Sequence, residues 1–279
     1  MEGIGIIAGS GQFPALVARG ARENGMQVFI CGLHGNADPA LADLADAFVM
    51  VHLGQLGKLI DFFKRNGVKK ACMAGAVSKP RALDIKPDFR AARLIFKLGS
   101  NKGDDAILRA VMEELKGEGI EMVPPDSLAP GLRAKEGVLT RKRPDADLWA
   151  DIRFGWSRAK AIGGLDIGQC VVVRSGIVTA VEGIDGTDAT LERGGRLGGA
   201  GCTLVKVVKP GQDTRLDMPS LGVGTVELLA EHRFACLAFE ADGALFFDRE
   251  KALALAEAHG IVVVAVPADA EAFFAANAD

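Results

Sequence analysis

The chain has 279 residues, of which 49% are hydrophobic and 25% are charged, and its formal net charge is −3. This length predicts one large or two modest domains, and the composition excludes a disordered chain. The lack of a basic surplus argues against nucleic acid as a partner. The chain begins with a strand pattern rather than a signal peptide, and no apolar run approaches the roughly 20 residues of a membrane span. We therefore expect a cytoplasmic protein that is free to rest against a membrane.

The cysteines and histidines show no pattern typical of a metal site or a disulfide framework. No two cysteines form a C-x-x-C pair and each lies in or beside an apolar run, which predicts small core residues in a reducing cytoplasm. The histidines have no metal-ligand spacing, and we assign no role to any of them. The residues concerned are Cys31, Cys72, Cys170, Cys202 and Cys236, and His34, His52, His232 and His259.

Strand patterns alternate with helix patterns through the amino-terminal half. Short apolar runs bounded by glycine or proline predict strands, and apolar residues at helical spacing predict a helix over 56–65. A further helix is predicted from Asp104 and Asp105, and two roles stay open for this pair: an acid that caps the first turn, or a contact to substrate or metal. This alternation indicates a doubly wound parallel sheet, that is, a Rossmann-like domain. The predicted strands are residues 3–8, 27–31, 48–51, 70–74 and 120–123.

Two turns follow strands at the edge where doubly wound sheets bind ligands. Backbone N–H groups in such turns, and at helix amino termini, bind anions. The dinucleotide-binding pattern fails, because Pro14 replaces a small residue and the second strand ends without an acid for a ribose. A turn that contacts phosphate or nucleotide and a purely structural turn both stay open, as do a phosphate contact and a solvated role for Lys79. The candidate contacts are Gly9, Ser10, Gly11, Gln12 and Lys79.

A run of prolines over residues 123–131 predicts a boundary between a domain of residues 1–130 and one of residues 131–279. After it the order of elements predicts a mixed α+β domain. Ser175-Gly176 indicates a β-hairpin between strands 168–173 and 177–181, and Asp242-Gly243 indicates a second one between 236–239 and 244–247. The other predicted elements are helices 147–162, 187–194 and 225–231, a helix from Asp248, and strands 203–208 and 261–264.

Two polar stretches follow strands of this second half. The first carries Glu182, Thr187 and Asp188, and the second follows strand 203–208. Mg²⁺ prefers carboxylate oxygens, and lysine and arginine bind phosphate oxygens. From the residues alone, a Mg²⁺–pyrophosphate site and an ion-paired surface turn both stay open. The candidates there are Lys206 near the end of that strand, which with Lys209 and Arg215 would bear on the phosphate oxygens, and Gln212, Asp213 and Asp217.

The order of these motifs is similar to that of one protein family along nearly the whole chain. The sequence resembles the LpxI type of UDP-2,3-diacylglucosamine pyrophosphatase, from lipid A biosynthesis in Gram-negative bacteria. The acidic positions of the family's motifs are all present. The resemblance is carried by residues 5–14 (GIIAGSGQFP), Gly75 with Lys79-Pro80, 103–105 (GDD), 165–169 (LDIGQ), 181–188 (VEGIDGTD) and 209–219 (KPGQDTRLDMP).

The resemblance implies Mg²⁺-dependent hydrolysis of UDP-2,3-diacylglucosamine to 2,3-diacylglucosamine 1-phosphate (lipid X) and UMP. It also implies two domains that enclose the lipid, a homodimer, and a peripheral position at the cytoplasmic face of the inner membrane. Carried onto this chain, the metal-organising acids are Asp213, then Asp217 and Glu182. The resemblance implies that the other functional residues are Lys209 and Gln212 in catalysis, and Gly9, Ser10, Gly11, Gln12, Lys79, Thr187, Asp188 and Arg215 in substrate binding.

A non-catalytic carrier of a nucleotide sugar or lipid is the alternative from another class. Such a carrier gains nothing from several carboxylates near the phosphates of its ligand unless a metal intervenes. The acidic stretches therefore favour the hydrolase over the carrier.

Overall fold

The computed structural model describes residues 2–77, 87–98, 104–210 and 218–277. These residues divide into two compact units, of which the first runs up to Pro130 and the second begins at Gly131. No helix among the described residues is both long and apolar enough to cross a membrane.

The first unit is built on a parallel five-stranded sheet in the order β3-β2-β1-β4-β5. The chain moves outward from β1 to β3 and then crosses to β4, so the order reverses between β1 and β4. This architecture confirms the predicted Rossmann-like sheet. The strands are β1 (Gly3–Ala8), β2 (Gln27–Leu33), β3 (Ala47–Val51), β4 (Lys70–Ala74) and β5 (Glu121–Met122), and the helices are α1 (Phe13–Glu23), α2 (Leu56–Arg65), α3 (Phe89–Leu98) and α4 (Asp104–Gly117).

The apolar face of α2 packs on the sheet, where Ile60 and Phe63 are fully buried. A Cβ at Gly5 of β1 would lie 2.8 Å from the Phe63 ring, so glycine allows the helix to approach the strand this closely. β2 runs two residues beyond its predicted end, to Leu33, so that His34 rather than Gly32 follows the strand.

The second unit has a mixed six-stranded sheet in the order β6-β13-β11-β9-β7-β8, together with a small parallel sheet of β10 and β12. β9, β11 and β13 are parallel, whereas β6, β7 and β8 join through antiparallel pairs. The strands are β6 (Gly137–Val138), β7 (Cys170–Arg174), β8 (Ile177–Val181), β9 (Thr203–Lys206), β10 (Ser220–Leu221), β11 (Cys236–Glu240), β12 (Leu245–Phe246) and β13 (Val262–Val266). The helices are α5 (Ala146–Gly164), α6 (Gly186–Gly198), α7 (Val223–Glu231), α8 (Arg249–Ala258) and α9 (Ala270–Ala276).

Helices cover both faces of this sheet. Alternate residues of a strand point to opposite faces, so neighbouring residues enter different cores. Leu204 and Leu237 enter the core under α6, α7 and α8. Their neighbours Val205 and Ala238 enter the core under α5 and α9. In that second core Trp156 meets Phe274 edge-to-face with ring centroids 6.2 Å apart, and Trp149 is buried beside them.

The prediction of a second hairpin is wrong. β11 lies in the middle of the large sheet between β9 and β13, while β12 pairs with β10 in the small sheet. All five residues of β11 are buried, which is typical of a central parallel strand covered on both faces. Asp242 has a φ of 54°, so a turn does form there, but it leads out of the sheet. The first hairpin is confirmed, with Ser175 and Gly176 at its turn.

The cysteines are core residues, as predicted. All five are buried and none forms a disulfide. Burial raises the pKa of the Cys31 and Cys72 thiols to about 12. These thiols are therefore neutral and unreactive at physiological pH.

Candidate functional site

One edge of the large sheet gathers the polar residues of the second unit. Cys170 at the start of β7 lies opposite Lys206 at the end of β9, and Val181 at the end of β8 lies opposite Val171. Glu240 ends β11 at the same edge, because β11 is parallel to β9. Residues far apart in sequence are thus brought together by the strand order alone.

A hydrogen-bonded network joins Glu182, Thr187 and Lys206 at this edge. The Thr187 hydroxyl donates to Oε1 of Glu182 over 2.8 Å and accepts from Nζ of Lys206 over 3.2 Å. The other carboxylate oxygen of Glu182 accepts from the backbone N–H of Gln169 over 2.7 Å. Both Glu182 and Lys206 are only 6% exposed, so a negative and a positive charge are buried on either side of one hydroxyl.

Lys206 retains capacity to bind a ligand. Its ammonium also donates to the carbonyl oxygen of Ser220 over 3.2 Å, which leaves one of its three N–H groups without an acceptor among the described residues. No carboxylate in the described ranges forms an ion pair with it. Nearby, the buried Oε1 of Gln169 has no hydrogen-bond partner among the described residues. Lys206 is therefore a buried cation that favours an anionic ligand.

A cavity of about 550 Å³ opens beside Lys206 and Thr187. It is bordered by the first turns of α6 and α7, whose amino termini carry partial positive charge. Neither helix has a side chain that caps its first turn. Lys206 and these helix ends make the cavity suited to a phosphate group. It is lined by Asp185, Gly186, Thr187, Asp188, Lys206, Ser220, Gly224, Thr225 and Leu228.

The amino terminus of α6 is held in place by an ion pair. Arg193 donates to Oδ2 of Asp185 and, over 2.7 Å, to the carbonyl oxygen of Val181. The Arg193 guanidinium and the Gly183 N–H both lower the pKa of Asp185. Asp188 is exposed in the first turn of the helix, at the mouth of the cavity. The stretch from Glu182 to Asp188 thus combines a buried anchor with an exposed rim.

A second buried carboxylate braces the chain where it leaves β9. Oε2 of Glu240 accepts from Lys160 over 2.6 Å and from the backbone N–H of Val208 over 2.7 Å. Lys209 comes next and its ammonium lies 2.8 Å from Oδ1 of Asp166. The segment that carries most of the predicted catalytic residues therefore starts from a fixed point. Of the predicted residues, Lys79, Gln212, Asp213, Arg215 and Asp217 lie outside the described residues.

The turn after β1 packs against the turn after β4. The N–H of Gly9 donates to the carbonyl oxygen of Ala74 over 2.8 Å. Both the N–H and the hydroxyl of Ser10 donate to the carbonyl oxygen of Ala76. A Cβ at Gly9 would lie 2.4 Å from that carbonyl oxygen, so only glycine fits there. Gly11 is exposed at a φ of 86°, and its N–H has no acceptor among the described residues.

These bonds divide the predicted contacts of the first unit into two groups. Gly9 and Ser10 hold the two turns together, whereas Gly11 and Gln12 are exposed and the first residues of α1, Phe13 and Pro14, are buried. Gln12 is the residue that precedes α1. The structural role of the turn is thus confirmed for Gly9 and Ser10, and a phosphate contact at Gly11 and Gln12 stays a prediction.

No group of three or more His, Cys, Asp or Glu side chains in the described ranges is arranged to hold a metal ion. Cys170 lies beside Glu182, and burial raises the pKa of its thiol well above the usual value, with a further contribution from that carboxylate. Cys170 is therefore a neutral thiol rather than a nucleophile.

Sequence reasoning predicts that Lys206 bears on the phosphate oxygens together with Lys209 and Arg215, but it misses that Lys206 is buried and joined to Glu182 through Thr187. The signal was present as a lysine inside an otherwise apolar strand, Thr203–Lys206 followed by Val207 and Val208. A charged residue in such a run is rarely buried unless it is paired or serves a site. It also missed Gln169, which was noted only as part of a longer motif.

Comparison with known proteins finds relatives along the whole chain. The family profile described as LpxI N-terminal domain matches residues 3–132, and the profile described as LpxI C-terminal domain matches residues 135–264. A curated protein of Caulobacter vibrioides, described as UDP-2,3-diacylglucosamine pyrophosphatase LpxI, is 35% identical over 276 residues. That alignment covers 95% of this chain and 98% of the relative.

Solved structures are similar only at a low level. N5-carboxyaminoimidazole ribonucleotide synthetase from Thermotoga maritima is 16% identical with a TM-score of 0.28, over 62% of this chain and 34% of that one. An ADP complex of the same kind of enzyme is 14% identical with a TM-score of 0.29, over 71% and 44% of the two chains. These values are too low to carry an argument about fold or function.

Proposed function

The chain belongs to the LpxI family, and we propose that it hydrolyses the pyrophosphate bond of UDP-2,3-diacylglucosamine to lipid X and UMP. The observation that carries this proposal is the full-length similarity to a protein described as that pyrophosphatase. Membership of the family makes the chain a hydrolase of lipid A biosynthesis. The products and the need for Mg²⁺ are the finer part of the proposal.

The cavity of the second unit supports a role in binding a phosphate of the substrate. Lys206 supplies a buried positive charge, and Thr187 supplies a hydroxyl whose orientation Glu182 fixes. Charge-assisted hydrogen bonds of this kind are about twice as strong as neutral ones. In the proposed reaction the remaining N–H group of Lys206 holds a phosphate oxygen and Thr187 lines the cavity beside it, while Asp188 at the rim faces the sugar.

The exposed turn of the first unit supports a second anion contact. With Gly9 and Ser10 engaged in joining two turns, the Gly11 N–H and the amino terminus of α1 are the groups proposed to meet the nucleotide phosphate. A helix amino terminus after a glycine turn at the switch point of a parallel sheet favours such a ligand. Gln12 and Lys79 complete the proposed contacts.

Magnesium is proposed to rest on Asp213 and Asp217, with Glu182 a weaker candidate than the sequence indicated. Both oxygens of Glu182 already accept hydrogen bonds, and the ammonium of Lys206 lies one hydroxyl away. A cation beside that ammonium would be repelled, so the described residues fit Mg²⁺ poorly. Bound by Asp213 and Asp217, Mg²⁺ would supply positive charge to the pyrophosphate.

Lys209 and Gln212 are proposed to act beside Asp213 because of where the chain leaves β9. The Glu240 carboxylate holds the Val208 N–H, and Lys160 holds Glu240, so the residues that follow start from a rigid base. Preorganised groups lose little freedom when the substrate binds. The ion pair with Asp166 keeps the Lys209 ammonium near this base.

We also propose that the protein is a homodimer that rests on the cytoplasmic face of the inner membrane. The feature that supports membrane contact is α3, where Phe89 and Phe96 are 84% and 87% exposed. They lie seven residues apart and so share a helix face. Arg93 and Lys97 are exposed on the same helix and would attract anionic lipid headgroups.

A UMP-release assay tests the proposed function. Purified protein with Mg²⁺ should release UMP from UDP-2,3-diacylglucosamine, and chelation of the metal should abolish release. Asp213→Ala should lower turnover by about a hundredfold or more while the substrate still binds. Asp147→Ala, which changes an exposed acid at the start of α5, is the matched control and should retain full turnover.

The outcomes of this assay separate the enzyme from the carrier. Tight binding of the substrate without UMP release in the presence of Mg²⁺ would contradict the hydrolase and favour the carrier. Full turnover by Asp213→Ala would contradict the role of that residue and leave the activity standing.

A further inference from the structure

Two histidines stack at the carboxyl edge of the sheet in the first unit. The ring centroids of His34 and His52 are 4.2 Å apart and their planes differ by 19°. Both residues are exposed. Since one face of each ring is covered by the other, the exposed surface comes from the opposite faces and the ring edges.

The backbone holds this pair in place without a ligand. The N–H of His34 donates to the carbonyl oxygen of Val51 over 2.9 Å, which extends the pairing of β2 with β3 by one residue. The N–H of His52 donates to Oε1 of Gln55 over 3.0 Å, and the Gln55 N–H donates back to the His52 carbonyl oxygen. The two rings therefore project from fixed positions at the ends of adjacent strands.

His34 occupies the position where doubly wound sheets recognise a ribose. In dinucleotide-binding domains an acid near the end of the second strand holds the ribose hydroxyls, and the phosphate lies at the turn after the first strand. Here β2 ends at Leu33 and His34 follows, one strand away from the Gly9–Gly11 turn. Neighbouring strands are about 4.8 Å apart, so the pair continues the edge outward from that turn.

The geometry of the pair fits a planar ring better than a metal ion. The lone pair of an imidazole nitrogen lies in the ring plane, and two nearly parallel rings point their lone pairs side by side. They cannot converge on one ion at the roughly 2.0 Å that His–metal bonds require. A stacked pair with exposed faces and edges is instead a surface on which a nucleobase can stack.

We propose that His34 and His52 form a stacking platform for the uracil base of the substrate. This inference rests on the proposed function, which makes a uridine nucleotide the ligand. With the nucleotide phosphate at Gly11 and the amino terminus of α1, the ribose and base extend along the strand ends toward β2 and β3. The platform contributes affinity for the nucleotide and takes no part in bond cleavage.

Binding of UMP and of ribose 5-phosphate, which lacks the base, tests the platform. Loss of a stacking side chain should weaken UMP binding by about tenfold in His34→Ala, with a similar or smaller loss in His52→Ala. Ribose 5-phosphate should bind wild type and both variants equally. His34→Phe, which keeps a flat ring, should bind UMP within about threefold of wild type. His259→Ala, an exposed histidine at the end of α8, is the matched control.

Three results would overturn the platform. They are unchanged UMP affinity in both alanine variants, an equal loss of UMP and ribose 5-phosphate affinity, and a His34→Phe variant as weak as His34→Ala. In turnover the alanine variants should raise KM and leave kcat unchanged. If wild type binds UMP through these rings but releases none from the lipid substrate, the proposed function fails while the platform stands. If it turns over the substrate and the variants match it in KM and UMP affinity, the platform alone fails.

Discussion

The turn after β1 offers a ligand backbone atoms, whereas the strand edge of the second unit offers buried charged side chains. In the first unit the hydrogen bonds of Gly9 and Ser10 join the turn after β1 to the turn after β4, and Gly11 presents an N–H group. In the second unit Lys206, Thr187 and Glu182 form a network in which each polar group orients the next. Both are proposed to bind an anion, and substitutions should disturb them in different ways.

A backbone site depends on shape, and a side-chain site depends on charge. Replacing a side chain beside a backbone N–H leaves the donor in place unless the new atoms collide with something. Replacing a buried ammonium removes the donor and leaves its former partners without compensation. The first kind of site is thus sensitive at glycines, and the second at Lys206.

The largest effect is expected from Lys206→Met, compared with Lys160→Met at the same sheet edge. Removing a preorganised cation from the proposed phosphate cavity should lower turnover by about a hundredfold or more. Lys160→Met should instead mainly destabilise the fold, by about 3 kcal/mol, because it leaves Glu240 buried without its ion pair. Turnover measured with UMP release and stability measured by urea unfolding separate the two.

The comparison of the two lysines is contradicted if Lys206→Met mainly loses stability and Lys160→Met mainly loses turnover. Lys206→Met with normal turnover would show that the buried ammonium is structural. A folded Lys206→Met protein that binds neither substrate nor product would place its role in binding rather than in the chemical step.

A smaller effect is expected from alanine at Gly9, compared with alanine at Gly11. A Cβ at Gly9 collides with the Ala76 carbonyl oxygen, which should destabilise the first unit by about 2 kcal/mol. At Gly11 a Cβ meets nothing within 4 Å, so only the positive φ opposes it, at about 1 kcal/mol. Urea unfolding followed by circular dichroism measures both.

Tryptophan fluorescence supplies the internal control for these glycine variants. Both tryptophans, Trp149 and Trp156, lie in the second unit. The fluorescence transition should therefore stay in place while the circular dichroism transition moves. Equal shifts of the two transitions in Gly9→Ala would contradict a local effect in the first unit.

The smallest effect on stability is expected when acid weakens the ion pair between Arg193 and Asp185 at the amino terminus of α6. The Arg193 guanidinium lowers the pKa of Asp185 below its ordinary value of 3.8. A carboxyl whose pKa is lowered by folding stabilises the native state above its unfolded pKa, and this contribution is lost as the pH falls through the folded pKa. Asp185→Asn should thus be less stable than wild type at pH 7, and the difference in stability should shrink as the pH falls below 3.8. A difference that grows in acid would contradict this assignment.

Much of the fold could be predicted because local patterns and topology agree. The strand at 70–74 and the helix at 56–65 have their predicted bounds, since apolar runs end there at glycine or polar residues. The false hairpin around Asp242-Gly243 arose because a turn signal does not reveal whether the flanking strands pair with each other. Pairing of β11 with β9 and β13 depends on contacts remote in sequence.

The candidate site could be predicted only where its residues form a continuous motif. Glu182 and Thr187 are five residues apart and were singled out together, and the structure joins them. Within the second unit strand order brings Lys206 to Thr187, and within the first unit it brings His34 to His52; no local spacing encodes either pair. Histidine carries little information by itself, because its role depends on the neighbour that the fold supplies.

The buried cysteines make this chain ready for site-specific chemistry without prior mutation. All five native thiols are enclosed, so a thiol-reactive dye or spin label has no accessible target on the folded protein. One cysteine introduced at an exposed position, such as Asp147, would then be labelled alone. Such a label would give one defined spectroscopic probe on the otherwise native chain.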